Sequence, residues 1–396
     1  MKAIAVIVPS LMPGGAERVA SLVSKGLSKD YQVYTLVFDS SQNFYDYGGK
    51  LICLNLPPKS GVIGKLVNLF KRIRAVKKIK KELHIKVSIS ILEGANIVNI
   101  LSKQKDKIIV SVHSFKSNTR LDFYTRLDNL ITKLLYNRAD YVVGVSNKII
   151  EDLRACFYIH PSKTRAIYNP IEPEKINALS DEALDAEFED YYLDPTFVSL
   201  GRVCHEKGHW HLIRAFAQVK KIIPEAHLII IGGFVDKPLK DYLDRLVRES
   251  GLVEWVHFIG NQKNPFKYIK KADVYVQSSI IEGFGLSLCE ALACGVPVIS
   301  TDCFCGPREI LAPETSLDEQ AKRVEIHSFG LLSPVCNGIR YEASAPLTHE
   351  EECLAEAMIK VHNDKKLREN LIEEGRARAR QFDLALISNY YKEIIE

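Results

Sequence analysis

Short runs of β-branched and aliphatic residues recur along this chain and alternate with stretches of helical spacing. In the first half Ile4–Val8, Val33–Phe38, Val87–Ile91, Ile108–Val112 and Tyr141–Val145 read as strands, with helical stretches such as Ala16–Lys29 and Leu127–Arg138 between them. The second half repeats the arrangement: Phe197–Leu200, His227–Ile231, Val256–Ile259, Val274–Gln277 and Val298–Ser300 read as strands, and His211–Ile222 and Lys240–Ser250 as long helices. Short apolar strands alternating with helices require a parallel sheet covered by helices on both faces. The expected class is α/β, with two Rossmann-like domains in tandem.

At 396 residues the chain is long enough for two such domains, each with its own core. Asn169-Pro170-Ile171-Glu172-Pro173, followed by an acidic stretch from Asp181 to Asp194, marks the expected linker. From Glu350 onward the pattern is helical. With 46% hydrophobic and 26% charged residues the composition is that of a soluble globular protein. No run of eighteen apolar residues occurs, so no spanning helix is expected. The chain enters a strand at Ala3 without a signal-peptide layout. Its nine cysteines include no C-x-x-C, and Cys303 and Cys305 are the one close pair, which favours reduced thiols in a cytoplasmic protein. Net charge is +4, but residues 1–170 carry 27 Lys/Arg against 12 Asp/Glu, and residues 171–396 carry 26 against 37. That asymmetry suggests that the first half faces an anionic surface, and no nucleic-acid partner is expected.

The residues capable of chemistry stand just after predicted strands, where ligands bind in open parallel sheets. After Asp273–Val276 comes Ile281-Glu282-Gly283-Phe284-Gly285-Leu286-Ser287-Leu288-Cys289-Glu290-Ala291, which reads as a glycine-rich turn and a helix starting near Gly285. Backbone amides of such a turn and the helix dipole attract anions, and the carboxylates of Glu282 and Glu290 suit sugar hydroxyls. Two solvated acids on a surface turn is the alternative for that pair taken alone. In Ser199-Leu200-Gly201-Arg202-Val203-Cys204-His205-Glu206-Lys207-Gly208, Arg202 offers a planar fork and Lys207 a point charge to phosphates. Val6–Ser10 leads into Gly14-Gly15-Ala16-Glu17-Arg18, where Gly14 and Gly15 permit close approach of backbone to a ligand. His113 ends the strand Ile108–Val112, and Gln262 lies in the loop after Val256–Ile259 as a candidate base contact. With two sheets face to face, all of these would line one cleft. His205, His209 and His211 suggest a metal by their closeness, yet no carboxylate has ligand spacing nearby.

The run from Ile281 to Ala291 resembles the donor-sugar motif of retaining glycosyltransferases of family four, in which two glutamates are separated by seven residues. The Arg202/Lys207 segment and Gly14-Gly15-Ala16-Glu17-Arg18 resemble two further elements of that family, in the family's order. The resemblance implies the GT-B fold, with a deep cleft between an acceptor-binding first domain (residues 1–170 plus a returning helix at about 380–396) and a nucleotide-sugar-binding second domain (171–379). It implies that Glu282 faces the transferred sugar, Glu290 holds the ribose, Arg202 and Lys207 neutralise the diphosphate, and His113 reaches the donor sugar. Gly14, Gly15, Gln262, Gly283, Phe284, Gly285 and Leu286 complete the expected donor site. The implied chemistry is internal return: the acceptor attacks from the leaving group's own face and the departing phosphate takes its proton.

No Asp-x-Asp occurs in the chain, so no metal or other cofactor is expected. The segment Cys303–Leu311 resembles a sub-group that uses UDP-sugars, with cysteines at flexible loop positions. The expected reaction moves a hexose or N-acetylhexosamine to a glycan in surface polysaccharide synthesis, on a polyprenyl lipid. A nucleotide-sugar 2-epimerase of related fold and a non-catalytic membrane-associated glycan-binding protein are the alternatives, and the paired glutamates with Arg202 and Lys207 favour transfer.

In residues 65–83, Leu66, Leu69, Phe70, Ile73, Val76, Ile79 and Leu83 recur at helical spacing among eight Lys/Arg and one Glu. The expectation is a helix whose apolar stripe is core and whose lysines face anionic lipid, placing the protein on the inner face of the cytoplasmic membrane.

Overall fold

The computed structural model describes residues 1–39, 44–117 and 123–396. They form two compact units, Met1–Pro170 with Phe382–Glu396, and Ile171–Gln381.

The first unit is a seven-stranded sheet of β1 (Ala3–Val8), β2 (Gln32–Val37), β3 (Lys50–Cys53), β4 (Val87–Ile91), β5 (Lys107–Val112), β6 (Tyr141–Gly144) and β7 (Thr164–Ala166). The order is β3-β2-β1-β4-β5-β6-β7, with every pair parallel. The direction of winding reverses between β1 and β4, which lie side by side with Ile4 opposite Val87. Its helices are α1 (Gly15–Leu27), α2 (Val62–Glu82), α3 (Glu93–Leu101), α4 (Phe123–Leu135) and α5 (Asn147–Ala155). β4 is buried along its whole length, as a strand covered on both faces must be. One face of the sheet packs Ala5, Ile7, Leu36 and Phe38 against Val76 of α2 and Val98 of α3.

The second unit repeats the plan with β8 (Thr196–Leu200), β9 (His227–Ile231), β10 (Val256–Gly260), β11 (Val274–Gln277), β12 (Val298–Thr301), β13 (Glu325–His327) and β14 (Gly330–Ser333). The order is β10-β9-β8-β11-β12-β14-β13, parallel except for the hairpin partner β13. Here the winding reverses between β8 and β11. The helices are α6 (Pro173–Ser180), α7 (His209–Ile222), α8 (Lys237–Glu249), α9 (Phe266–Lys271), α10 (Leu286–Cys294), α11 (Pro307–Leu311), α12 (His349–Asn363) and α13 (Lys365–Arg380). Phe197, Trp210, Phe216, Leu243, Ile299 and Met358 join strands and helices in one core.

The helical C-terminal stretch is broken twice, each time at an aspartate that caps the next helix: Asp364 accepts from the Leu367 amide at 2.9 Å and Asp383 from the Ala385 amide at 2.8 Å. After the second break α14 (Leu384–Ile395) belongs to the first unit. Lys2 and Lys107 donate to its last carbonyls at 3.2 and 3.1 Å, the favourable end of the helix for cations.

Helix α2 corrects the expectation for residues 65–83 in two respects. Its stripe is core only over the C-terminal part: Val76 is buried and Leu69, Ile73, Ile79 and Leu83 pack beside it, whereas Leu66 and Phe70 are 50% and 64% exposed. Lys80 also points inward, 2.9 Å from Asp106 with both side chains wholly buried, and 2.7 Å from Asn99 Oδ1. Burial pulls that ammonium down to about 8 against the pull of Asp106. A buried ion pair of this kind keeps its charges only because further hydrogen bonds complete them.

Candidate active site

In the second unit two loops leave the sheet side by side at the reversal, one after β8 and one after β11. Gly208 fixes their spacing: its φ is +59°, and a Cβ there would stand 2.6 Å from the Ser278 carbonyl. The loops are then tied by Ser278 Oγ donating to the Lys207 carbonyl at 2.9 Å and the Ile280 amide donating to the Glu206 carbonyl at 2.8 Å. This contact brings Lys207 Nζ to 2.5 Å from Glu282 Oε1, with the side chains 21% and 11% exposed. Ser279 Oγ donates to the same carboxylate oxygen at 2.7 Å. Burial alone would depress the lysine, and the Glu282 charge outweighs it, so its pKa lies above the ordinary value and the ammonium stays charged.

Beyond Glu282 the chain passes Gly283 and Phe284 to Gly285, which caps α10 in the left-handed region, and α10 begins at Leu286. Glu290 is buried on that helix. A polar layer lies beneath the turn: Ser287 Oγ donates to Gln277 Oε1 at 3.1 Å, and Tyr275 Oη to the Leu200 carbonyl at 3.3 Å. Cys303 and Cys305 are buried, and Gly306 between β12 and α11 lies against the Phe284 backbone. Arg202 is exposed on the β8 loop. The Gln262 amide donates to the Ile259 carbonyl at 2.6 Å, and Tyr268 Oη lies 3.4 Å from its oxygen, so this side chain is engaged by its own loop.

The three neighbouring histidines serve different ends. His205 stacks on Trp210 with ring centres 5.3 Å apart. His209 is buried beside Lys207 and held neutral, its pKa driven down to about 3 by desolvation. His211 Nδ1 lies 2.7 Å from Glu351, which also accepts from Arg214 Nε at 2.9 Å. That carboxylate comes from 140 residues away, beyond the reach of any spacing rule. Among the described residues no group of three or more His, Cys, Asp or Glu is arranged to hold a metal ion.

In the first unit the turn after β1 carries Gly14 as the cap of α1 and Gly15 as its first residue. The Gly14 amide donates to Tyr45 Oη at 3.3 Å, and Glu17 lies in the first helical turn, its carboxylate filling the space where a Gly14 side chain would be. Next to β1, β4 is followed by Leu92, the cap of α3, whose φ of +76° is rare for a residue with a side chain, and Glu93 comes after it as the start of α3. After β5 comes His113, with Ser111 Oγ 2.9 Å from its Nε2. Burial drives this imidazole down to about 4 against the pull of Glu93. Sequence reasoning singles out His113 but misses Glu93 and Lys116, which pair at 3.3 Å. A carboxylate two residues past a buried strand is the signal available for Glu93.

Residues 13–175 match Glycosyltransferase Family 4, and residues 181–317 match Glycosyl transferases group 1. An uncharacterized glycosyltransferase of Methanocaldococcus jannaschii is 35% identical over 277 residues, covering 69% of this chain and 67% of its own. An N-acetylgalactosamine-N,N'-diacetylbacillosaminyl-diphospho-undecaprenol 4-alpha-N-acetylgalactosaminyltransferase of Campylobacter jejuni is 28% identical over 400 residues, 98% of each chain. Anabaena HepE, crystallised in complex with UDP and glucose, superposes with a TM-score of 0.76 over 98% of each chain at 18% identity, which shows a common fold, GT-B. The chain belongs to the family 4 glycosyltransferases.

Proposed function

We propose that this glycosyltransferase moves a hexose or N-acetylhexosamine, with retention, from a UDP-sugar to a sugar hydroxyl on a polyprenyl-linked glycan. The observation that carries this reading is the convergence of Lys207, Glu282 and the N-terminal turn of α10 at the strand reversal of the second unit. As the sugar–phosphate bond breaks, negative charge grows on the β-phosphate. Lys207 and Arg202 neutralise it, and preorganised charges of this kind give the largest catalytic contribution. Lys207, held by Glu282, and Arg202 on the neighbouring loop take the part that a divalent ion plays elsewhere, so the reaction needs no metal. Glu282 holds the transferred sugar, the amides of Gly283 to Leu286 complete the donor contacts, and Glu290 takes the ribose hydroxyls. In the first unit His113 and the Gly14–Gly15 turn are assigned to the donor sugar and its phosphates on the family resemblance.

The acceptor assignment draws support from the Campylobacter relative, whose name describes transfer onto a diphospho-undecaprenol-linked sugar. No helix among the described residues is long and apolar enough to cross a membrane. Peripheral contact with an anionic bilayer is supported by α2, where exposed Val62, Ile63, Leu66, Val67 and Phe70 stand among exposed Lys59, Lys65, Lys71 and Arg74. Each such cation adds at most about 1 kcal/mol near the surface.

The test is turnover of the purified chain in EDTA against UDP-, GDP- and ADP-sugars, with the anomeric configuration of the product read by NMR. UDP release with an α-linked product from an α-donor is expected. Turnover that needs added divalent metal, or an inverted product, would remove the mechanism.

A further inference from the structure

The first unit holds a charged cluster that the donor reading leaves unused. Its centre is Glu93, the second residue after β4, at the strand reversal beside β1, the position where open parallel sheets bind ligands. Lys116 is 3% exposed and lies 3.3 Å from Glu93 Oε1 and 2.6 Å from Asp128 Oδ2. Its amide donates to Asp152 at 3.1 Å, so the residue is anchored by main chain and side chain together. Ser114 Oγ donates to the same Glu93 oxygen at 3.3 Å. The Glu93 side chain is nevertheless 32% exposed. Asp128 already supplies Lys116 with one counter-charge and is open to the same extent, at 34%, so Glu93 is a second carboxylate on that lysine with a face accessible from solvent. The backbone that delivers Glu93 is strained as well, at Leu92, a cost that persists where the surrounding structure enforces it and that clusters at ligand sites.

We infer that Glu93 is a sugar-hydroxyl-binding residue for the acceptor, held in place by Lys116 as a positioning residue. The inference rests on the transferase reading and names the side chain of the first unit that receives the acceptor. A carboxylate with one oxygen bound by Lys116 and Ser114 can still accept from one or two vicinal hydroxyls, the pattern a sugar presents and a phosphate does not. Lys116 keeps the group anionic: burial raises the Glu93 carboxyl, and the lysine charge outweighs it, leaving its pKa below the ordinary value. His113, held neutral beside it, adds no competing cation.

The experiment uses the full chain and octyl α-N-acetylgalactosaminide as probe, with binding read by saturation-transfer NMR and UDP affinity by calorimetry. Glu93→Ala is expected to weaken the glycoside at least tenfold and Glu93→Gln by less, with UDP affinity unchanged in both. Lys116→Met is expected to give glycoside binding an acid limb at higher pH than in the wild type, because the carboxyl loses its cation. That shift is a readout that a purely structural role for Lys116 would not produce. If Lys116→Met does not fold, the isosteric Glu93→Gln carries the test. Glycoside binding that is absent in the wild type or equal in Glu93→Ala overturns the inference, as does a variant that loses UDP and keeps the glycoside. Failure of the wild type to bind UDP at all would instead remove the transferase reading beneath it.

Discussion

Lys207 Nζ and Glu282 Oε1 lie 2.5 Å apart, although the two residues come from loops after different strands and are 75 positions apart in the chain. The pair is largely shielded from water, so each charge fixes the other more firmly than an exposed pair would. Lys207→Ala should lower kcat about 100- to 1000-fold, the usual cost of losing one preorganised donor to a developing anion. Glu282→Gln should also cost activity, partly because it frees Lys207 to move. The two changes should therefore be non-additive, with a coupling of about 0.5–3 kcal/mol. Steady-state kinetics of both single variants and the double variant decide this. Effects that simply multiply would mean the residues act independently.

Gly306 offers a test of the turn itself, without touching a charged group. Its φ is +90°, and a Cβ there would stand 1.7 Å from the Phe284 carbonyl oxygen. Gly306→Ala must displace either its own loop or the turn that precedes α10. Donor affinity should fall at least tenfold while the far-UV circular dichroism stays native. Unchanged KM for the UDP-sugar would show that the turn does not bind the donor.

Glu290→Gln keeps the shape of the buried side chain and removes its charge. Hydrogen bonds to a charged group contribute about 1.5–3 kcal/mol, so UDP should bind about 10- to 150-fold more weakly by calorimetry. Deoxy-UDP lacking the ribose 2′-hydroxyl should be hurt less by the change than UDP. Equal losses for the two nucleotides would take Glu290 away from the ribose.

The α/β class could be read from the chain because buried parallel strands are continuous apolar runs, as in Ile4–Val8 and His227–Ile231. The strands that escaped are of another kind. Thr164–Ala166 has three residues at a sheet edge, and Gly330–Ser333 is an interior strand that opens on glycine and holds no β-branched residue. Lys207 and Glu282 were each visible as candidates after a strand, but their contact depends on the adjacency of β8 and β11, which is a property of topology. Lys80 shows the opposite case: helical spacing put it with the solvated lysines, and Asn99 and Asp106, 19 and 26 residues on, draw it inside. Glu351 and His211 are a further long-range pair of this type.

The exposed apolar corner of α2 predicts where a bilayer would touch. Ile63 and Phe70 are 79% and 64% exposed and lie on one side of the helix. Ile63→Asp with Phe70→Asp should abolish flotation with vesicles containing anionic lipid, while turnover of a water-soluble acceptor is retained. Replacing Lys77 and Lys78 with Gln should weaken binding about fivefold per charge, from about 1 kcal/mol each, in a manner that added salt mimics. Binding untouched by the aspartates but lost with the lysines would make the contact electrostatic alone.

Acid should destabilise the second unit before its carboxylates are protonated. Burial holds His209 near 3 and His257 near 4 in the folded protein, against an ordinary histidine value of 6.5. Between about 4 and 6.5 the unfolded chain binds protons that the folded chain refuses, so stability falls as pH falls through that window. Each such histidine contributes up to about 1.4 kcal/mol per pH unit. Carboxylates with depressed values, such as Glu351, work in the same direction but below their ordinary range. The chain's two tryptophans, Trp210 and Trp255, both lie in this unit, Trp210 next to His209 in sequence and Trp255 5.0 Å from the ring of His227. Fluorescence-detected urea unfolding therefore reports the relevant transition. Its midpoint should drop between pH 7 and 5, and His209→Leu should flatten that slope; a midpoint level across the window would mean these rings are not held neutral.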